Sequence, residues 1–148
     1  MSLGHVHRGP LGYLQFIPLP GIVILIYNLF MIGGNVAGKM STGWVQFGLP
    51  SGASFELKAG ELLIVLAVVA LYVELVKATR TGSASIIDHG VSLFVFGLFL
   101  VEFVAVQGCG TGTFLVLGLI SLLDVVAGFT ISIVAARRDL SVNPPMVT

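Results

Sequence analysis

Long apolar stretches broken by short polar or glycine-rich connections set the pattern of this chain, and four of them are long enough to matter together. They run from about Tyr13 to Gly34, Leu57 to Lys77, Ser85 to Gln107 and Thr113 to Ala136. A helix that crosses roughly 30 Å of hydrocarbon at about 1.5 Å per residue needs about 20 mostly apolar residues. The pattern therefore predicts an all-α integral membrane protein with four transmembrane helices, forming one domain over residues 1–148.

The first stretch departs from a regular helical pattern. Pro18 and Pro20 lack backbone donors and disfavour helix just before them, so residues 11–17 are expected to lie along the interface and bend into a helix that starts near Pro20. Tyr13, Gln15 and Tyr27 would anchor its ends as interfacial residues do.

Residues 35–59 form the one sizeable connection. In it, Trp44–Leu49 and Ala53–Leu57 are rich in strand-forming residues and flank Pro50-Ser51-Gly52, which predicts a small β-hairpin. A two-stranded hairpin is marginal alone, so it should rest on the bundle, the lipid surface or a partner. Its alternation puts Trp44 and Phe47 forward as candidate partner-surface residues.

Composition agrees with the pattern. The chain is 56% hydrophobic and 9% charged, with mean hydropathy +1.05. Soluble domains sit near about 45–50% apolar and about 25% charged, so an ordinary water-soluble domain is excluded. Seven Lys and Arg balance seven Asp and Glu, leaving no basic stripe to bind nucleic acid. The single cysteine, Cys109, can form neither an internal disulfide nor a thiolate metal cage.

Charge placement gives an expected orientation. Arg8, Lys77, Arg80, Arg137 and Arg138 fall on one side of the four stretches, and only Lys39 and Lys58 on the other. Lys and Arg in short loops stay cytoplasmic, so both termini are expected in the cytoplasm and the hairpin in the first extracytoplasmic loop. No removable signal peptide is read in MSLGHVHRGP, and a bacterial inner membrane suits the small size.

Charged groups within apolar helices are costly and become candidate sites by default. Asp124 sits near the middle of the fourth stretch and Glu102 near the extracytoplasmic end of the third. Steps of three or four residues align Asp88, Ser92, Val95, Phe99 and Glu102 on one helix face, and Ser121, Asp124, Ala127 and Gly128 on another. Small residues let backbones approach, so these stripes are the expected contact between the third and fourth helices. Glu102 and Asp124 differ in depth by roughly 9 Å at about 1.5 Å per residue, too far for a shared proton. Asp124 is expected to act, protonated or bonded to a Ser or to an Asn such as Asn28, as interhelical glue or as the contact to another subunit, or else as a proton- or cation-binding carboxylate. Glu74 and Lys77 read as an ordinary surface pair, and Asp88-His89 as a cap on the third helix.

His5, His7 and His89 lack the fixed geometry a metal or haem needs, and no cofactor is expected. Cys109 has no neighbouring base or cation in sequence, and no motif assembles a catalytic set, so no enzyme activity is expected. Phe94, Phe96, Phe99 and Phe103 spread aromatic rings around the third helix, as packing and lipid contact or as a docking surface for another membrane protein or for pigment or quinone tails, with Phe99 a candidate partner-surface residue. The expected function is a non-enzymatic accessory or assembly subunit in the lipid bilayer, packed against other membrane subunits or as a homo-oligomer. The alternative is a small proton- or ion-coupled oligomeric transporter using Asp124 and Glu102.

Overall fold

The computed structural model describes residues 17–79 and 83–142. Helix α1 spans Leu19–Met31 and a single-turn α2 spans Val36–Met40. Strands β1 (Gly43–Gly48) and β2 (Ser54–Lys58) follow, then α3 (Ala59–Ala78), α4 (Ser83–Ala105), a 3-10 turn at Gln107–Cys109 and α5 (Gly112–Val142). Three segments, Ala59–Ala78, Ile87–Ala105 and Gly112–Arg137, are long and apolar enough to cross a membrane.

The fourth apolar helix is shorter than the sequence predicts. α1 has 13 residues: it starts at Leu19, beside Pro20 where the sequence places its start, and stops at Met31, short of Gly34, a length of roughly 20 Å at about 1.5 Å per residue. Pro20 falls in its first turn, where a missing N–H costs little. Gly33, Gly34 and Asn35 stop it at the other end, with φ of 84°, 73° and 49°. Only glycine takes that left-handed region freely, and Asn tolerates it best among the rest. Lys39 Nζ then donates to the Phe30 and Ile32 carbonyls at 2.9 and 2.6 Å, placing a cation at the negative end of the helix. Tyr13 and Gln15 lie outside the described residues.

The hairpin forms close to where its pattern places it. Val45 pairs with Leu57, Gln46 with Glu56, and Phe47 with Phe55, with an irregularity between Gly43 and Val45. Pro50 presets φ in the turn, and Gly52 takes φ 83° and donates its N–H to the Leu49 carbonyl at 2.9 Å. β2 runs into α3 without a linker. Lys58 ends the strand and caps the helix, and its N–H is accepted by Glu61 of the first helical turn.

α5 is the central helix. It packs along both α3 and α4, and α1 lies against α3 and α5, whereas α3 and α4 make little direct contact although they are consecutive. The expected meeting of the stripes on α4 and α5 is present. The Phe99 ring occupies the space a Cβ at Gly118 would fill and stacks on Phe114 with centroids 4.7 Å apart. Tyr27, Leu63, Ala67 and Leu117 complete the middle of the core.

Burial runs opposite to that of a water-soluble bundle. Glu74, Asp88, His89, Ser92, Ser121 and Asp124 are buried, while Val69, Tyr72, Val101, Val104, Leu119 and Val126 face outward, Val104 at 84% exposure. Large uninterrupted apolar surface is disfavoured in water and favoured in hydrocarbon.

Candidate functional site

The buried and half-buried polar side chains fall into two groups at different heights in the bundle. Near the hairpin end, Asn28 Nδ2 of α1 donates to both Glu102 oxygens of α4 at 3.0 Å. Beside them the Tyr27 hydroxyl donates to the Gly108 carbonyl at 3.0 Å and lies 2.6 Å from Thr111 Oγ1. These bonds tie α1 to the turn between α4 and α5.

Toward the opposite end lies the larger group. Asp124 of α5, 4% exposed, lies against Ser92 of α4. One turn along α4 from Ser92, Asp88 Oδ2 stands 3.8 Å from Lys77 Nζ of α3. Lys77 pairs more closely with Glu74, at 2.8 Å from Oε2 and 3.1 Å from Oε1. Glu74 Oε1 also accepts the Leu19 N–H at 2.7 Å. A carboxylate on α3 thus serves the first free donor of α1, in the place where a capping side chain of the helix itself would act. His89 Nε2 lies 2.7 Å from Ser132 Oγ, which donates to the Ala78 carbonyl at 3.4 Å, so α4, α5 and α3 are joined at this end as well.

The four candidate residues Asp124, Glu102, Asn28 and Ser121 therefore do not share one site. Asn28 serves Glu102 rather than Asp124, and Ser121 is buried one turn from Asp124 on α5. Of the candidate partner surface, Trp44 and Phe47 are exposed, but Phe99 is 3% exposed and belongs to the core. The Glu74–Lys77 pair is not a surface feature, since Glu74 is 4% exposed. α4 begins at Ser83, so Asp88 and His89 lie beyond its first turn and point inward instead of capping it. A signal for Glu74 was present in the sequence. Ala67, Ala70, Glu74 and Ala78 follow one another at steps of three and four, so the acid interrupts the small-residue seam by which α3 meets its neighbours.

Among the described residues no group of three or more His, Cys, Asp or Glu side chains is placed to hold a metal ion. His5 and His7 lie outside them. No family model, curated protein or solved structure matches the chain.

Cys109, in the turn between α4 and α5, is fully buried with its Sγ 3.5 Å from Met31 Sδ. Burial, with a smaller contribution from the Glu102 charge, pushes its thiol up to about 11. The thiolate is the reactive form, and raising the thiol from 9.0 to about 11 lowers its population about 100-fold below the raised value. Alkylation at mildly alkaline pH is expected to be slower by at least that factor than for an unhindered thiol, and to become fast on unfolding. Intact-protein mass spectrometry after timed iodoacetamide treatment checks this; rapid labelling of the folded protein would mean that the turn opens.

Proposed function

We propose that the chain is a non-enzymatic, four-span integral membrane protein that serves as an accessory or assembly subunit, packed against a larger membrane complex or copies of itself. One observation carries this reading: polar side chains pair with one another inside, while aliphatic residues cover the outside of three helices long enough to span. The exposed Val45, Phe47 and Phe55 of the hairpin add apolar surface beyond those helices. In this reading α1 belongs to the fourth span, and α2 and the hairpin stand on the extracytoplasmic side. Both termini are cytoplasmic, in a bacterial inner membrane, following the five-to-two division of Lys and Arg.

A reporter active only outside the cytoplasm is expected to work when inserted at Ser51 and to fail when fused after Thr148. The reverse at either position would overturn the four-span arrangement. For the subunit role, native protein isolated in mild detergent should bring down a stoichiometric membrane partner or further copies of itself. Recovery as a lone monomer would count against it.

A second reading, a small proton- or ion-coupled transporter, draws support from the polar line that runs from Asp124 through Ser92 and Asp88 to Lys77 and Glu74. Glu102 belongs to the other group, so the line replaces the Asp124–Glu102 pair as the route in this reading. Reconstituted protein should then carry a pH-gradient-driven flux that Asp124→Asn abolishes with the fold intact. Absence of any such flux leaves the subunit reading alone.

A further inference from the structure

Among the described residues, acids outnumber the cations that face them in the larger polar group. α3 contributes Glu74 and Lys77, α4 contributes Asp88 and His89, and α5 contributes Asp124. The described part of α1 contributes the Leu19 N–H. Three ionised carboxylates beside one lysine would leave uncompensated charge in surroundings built from apolar side chains, where each such charge is strongly disfavoured.

Hydrogen bonding separates the acids. Glu74 has the surroundings of an anion: Oε1 accepts from the Leu19 N–H and from Lys77, and Oε2 lies 2.8 Å from the same ammonium group. Asp124 has Ser92 beside it, and neither of its oxygens is both shielded from the surface and unpartnered. Asp88 is served worst. Its residue is 9% exposed, Oδ2 stands 3.8 Å from Lys77 Nζ, and Oδ1 is shielded from the surface with no hydrogen-bond partner at all. An anionic oxygen without a donor loses its hydration and gains nothing in return, whereas a neutral carboxyl avoids most of that cost.

We propose that Asp88 is a proton-exchange site inside the helix bundle, and that its charge decides whether Lys77 serves Glu74 alone or is shared between the two acids. The proton leaves the Asp88 carboxyl for water reached along the partly exposed Lys77 side chain. With Asp88 neutral, Lys77 stays on Glu74, and Glu74 holds the start of α1 through the Leu19 N–H. With Asp88 ionised, the ammonium group is drawn toward Asp88, and Glu74 keeps the Leu19 N–H with less of the cation's compensation. The bound species is a proton, so the inference requires neither a transported ion nor a partner. It rests on the spanning reading only for the apolar surroundings, and failure of that reading shows in the reporter topology and not in the measurement below.

Infrared difference spectra of the full-length protein in phosphatidylcholine vesicles, taken between about pH 5 and about pH 9, test it directly, because a carboxyl that gives up its proton loses its carbonyl band. The expected result is a carboxylic-acid carbonyl band that disappears as the pH rises. It should be absent from Asp88→Asn and should persist to higher pH in Lys77→Met, which lacks the cation favouring the ionised form. A wild-type spectrum with no titrating carboxylic acid in the window overturns the proposal without any variant. So does an Asp88→Asn spectrum that keeps the full band. If Asp88→Asn does not assemble, Asp124→Asn decides: a band that survives supports Asp88, and a band that vanishes assigns the proton to Asp124 and overturns the proposal.

Discussion

Lys77→Met is expected to lower the unfolding free energy of the bundle by about 3 kcal/mol, because it removes the one lysine within reach of both Glu74 and Asp88. The cost comes from what is left behind. Glu74, 4% exposed, would keep the Leu19 N–H as its remaining hydrogen-bond donor and would have either to stay charged without a counter-ion or to take up a proton. Breaking one member of a buried pair typically costs about 3–5 kcal/mol, and the partial exposure of Lys77 places the effect at the low end. Glu74→Gln in the Lys77→Met background should restore at least about 1 kcal/mol, since the amide oxygen still accepts from Leu19 and no bare charge remains. Unfolding in mixed detergent micelles, followed by circular dichroism across the four variants of the cycle, provides the comparison. Strict additivity would show that the two side chains do not interact in the folded protein.

The second large effect is steric. Gly118→Ala should destabilise the protein by about 2 kcal/mol, even though alanine is the better helix former by about 1 kcal/mol. The new methyl group would enter the ring of Phe99, which is itself held between Phe114, Phe96 and Phe103 and has no free direction in which to move. Phe99→Leu combined with Gly118→Ala should recover part of the loss that either change causes alone. The same micelle unfolding measures it, and a Gly118→Ala protein as stable as the wild type would mean that α4 and α5 can separate at this point without cost.

Different kinds of information explain why parts of this fold could be read from the chain and others could not. α3, α4 and α5 declare themselves through length and hydropathy, and the hairpin through Pro50, Ser51 and Gly52, because in each case the cause is local. The meeting of α4 and α5 was legible too, since helical spacing alone puts Ser92 and Phe99 on one face of α4 and Asp124 and Gly128 on one face of α5, although the contact of Phe99 with Gly118 lay outside that stripe. The early end of α1 was not, although Gly33, Gly34 and Asn35 are visible in the sequence. An apolar run extends across them, and the bonds that fix the boundary come from Lys39, which arrives from the next turn. The polar group was legible one residue at a time but not as a group. Asp124 was found by depth, whereas its relation to Glu74 and Lys77 depends on α3 and α4 standing on either side of α5, an arrangement that no local pattern specifies.

The direct passage from β2 into α3 at Lys58 and Ala59 gives the hairpin a mechanical character. With no loop between them, the hairpin leaves the 20-residue α3, roughly 30 Å long at about 1.5 Å per residue, in the direction set by the first turn of the helix. Each residue added at the junction would swing the hairpin by about 100° around the helix axis, so the length of this join sets the compass direction of its aromatic face.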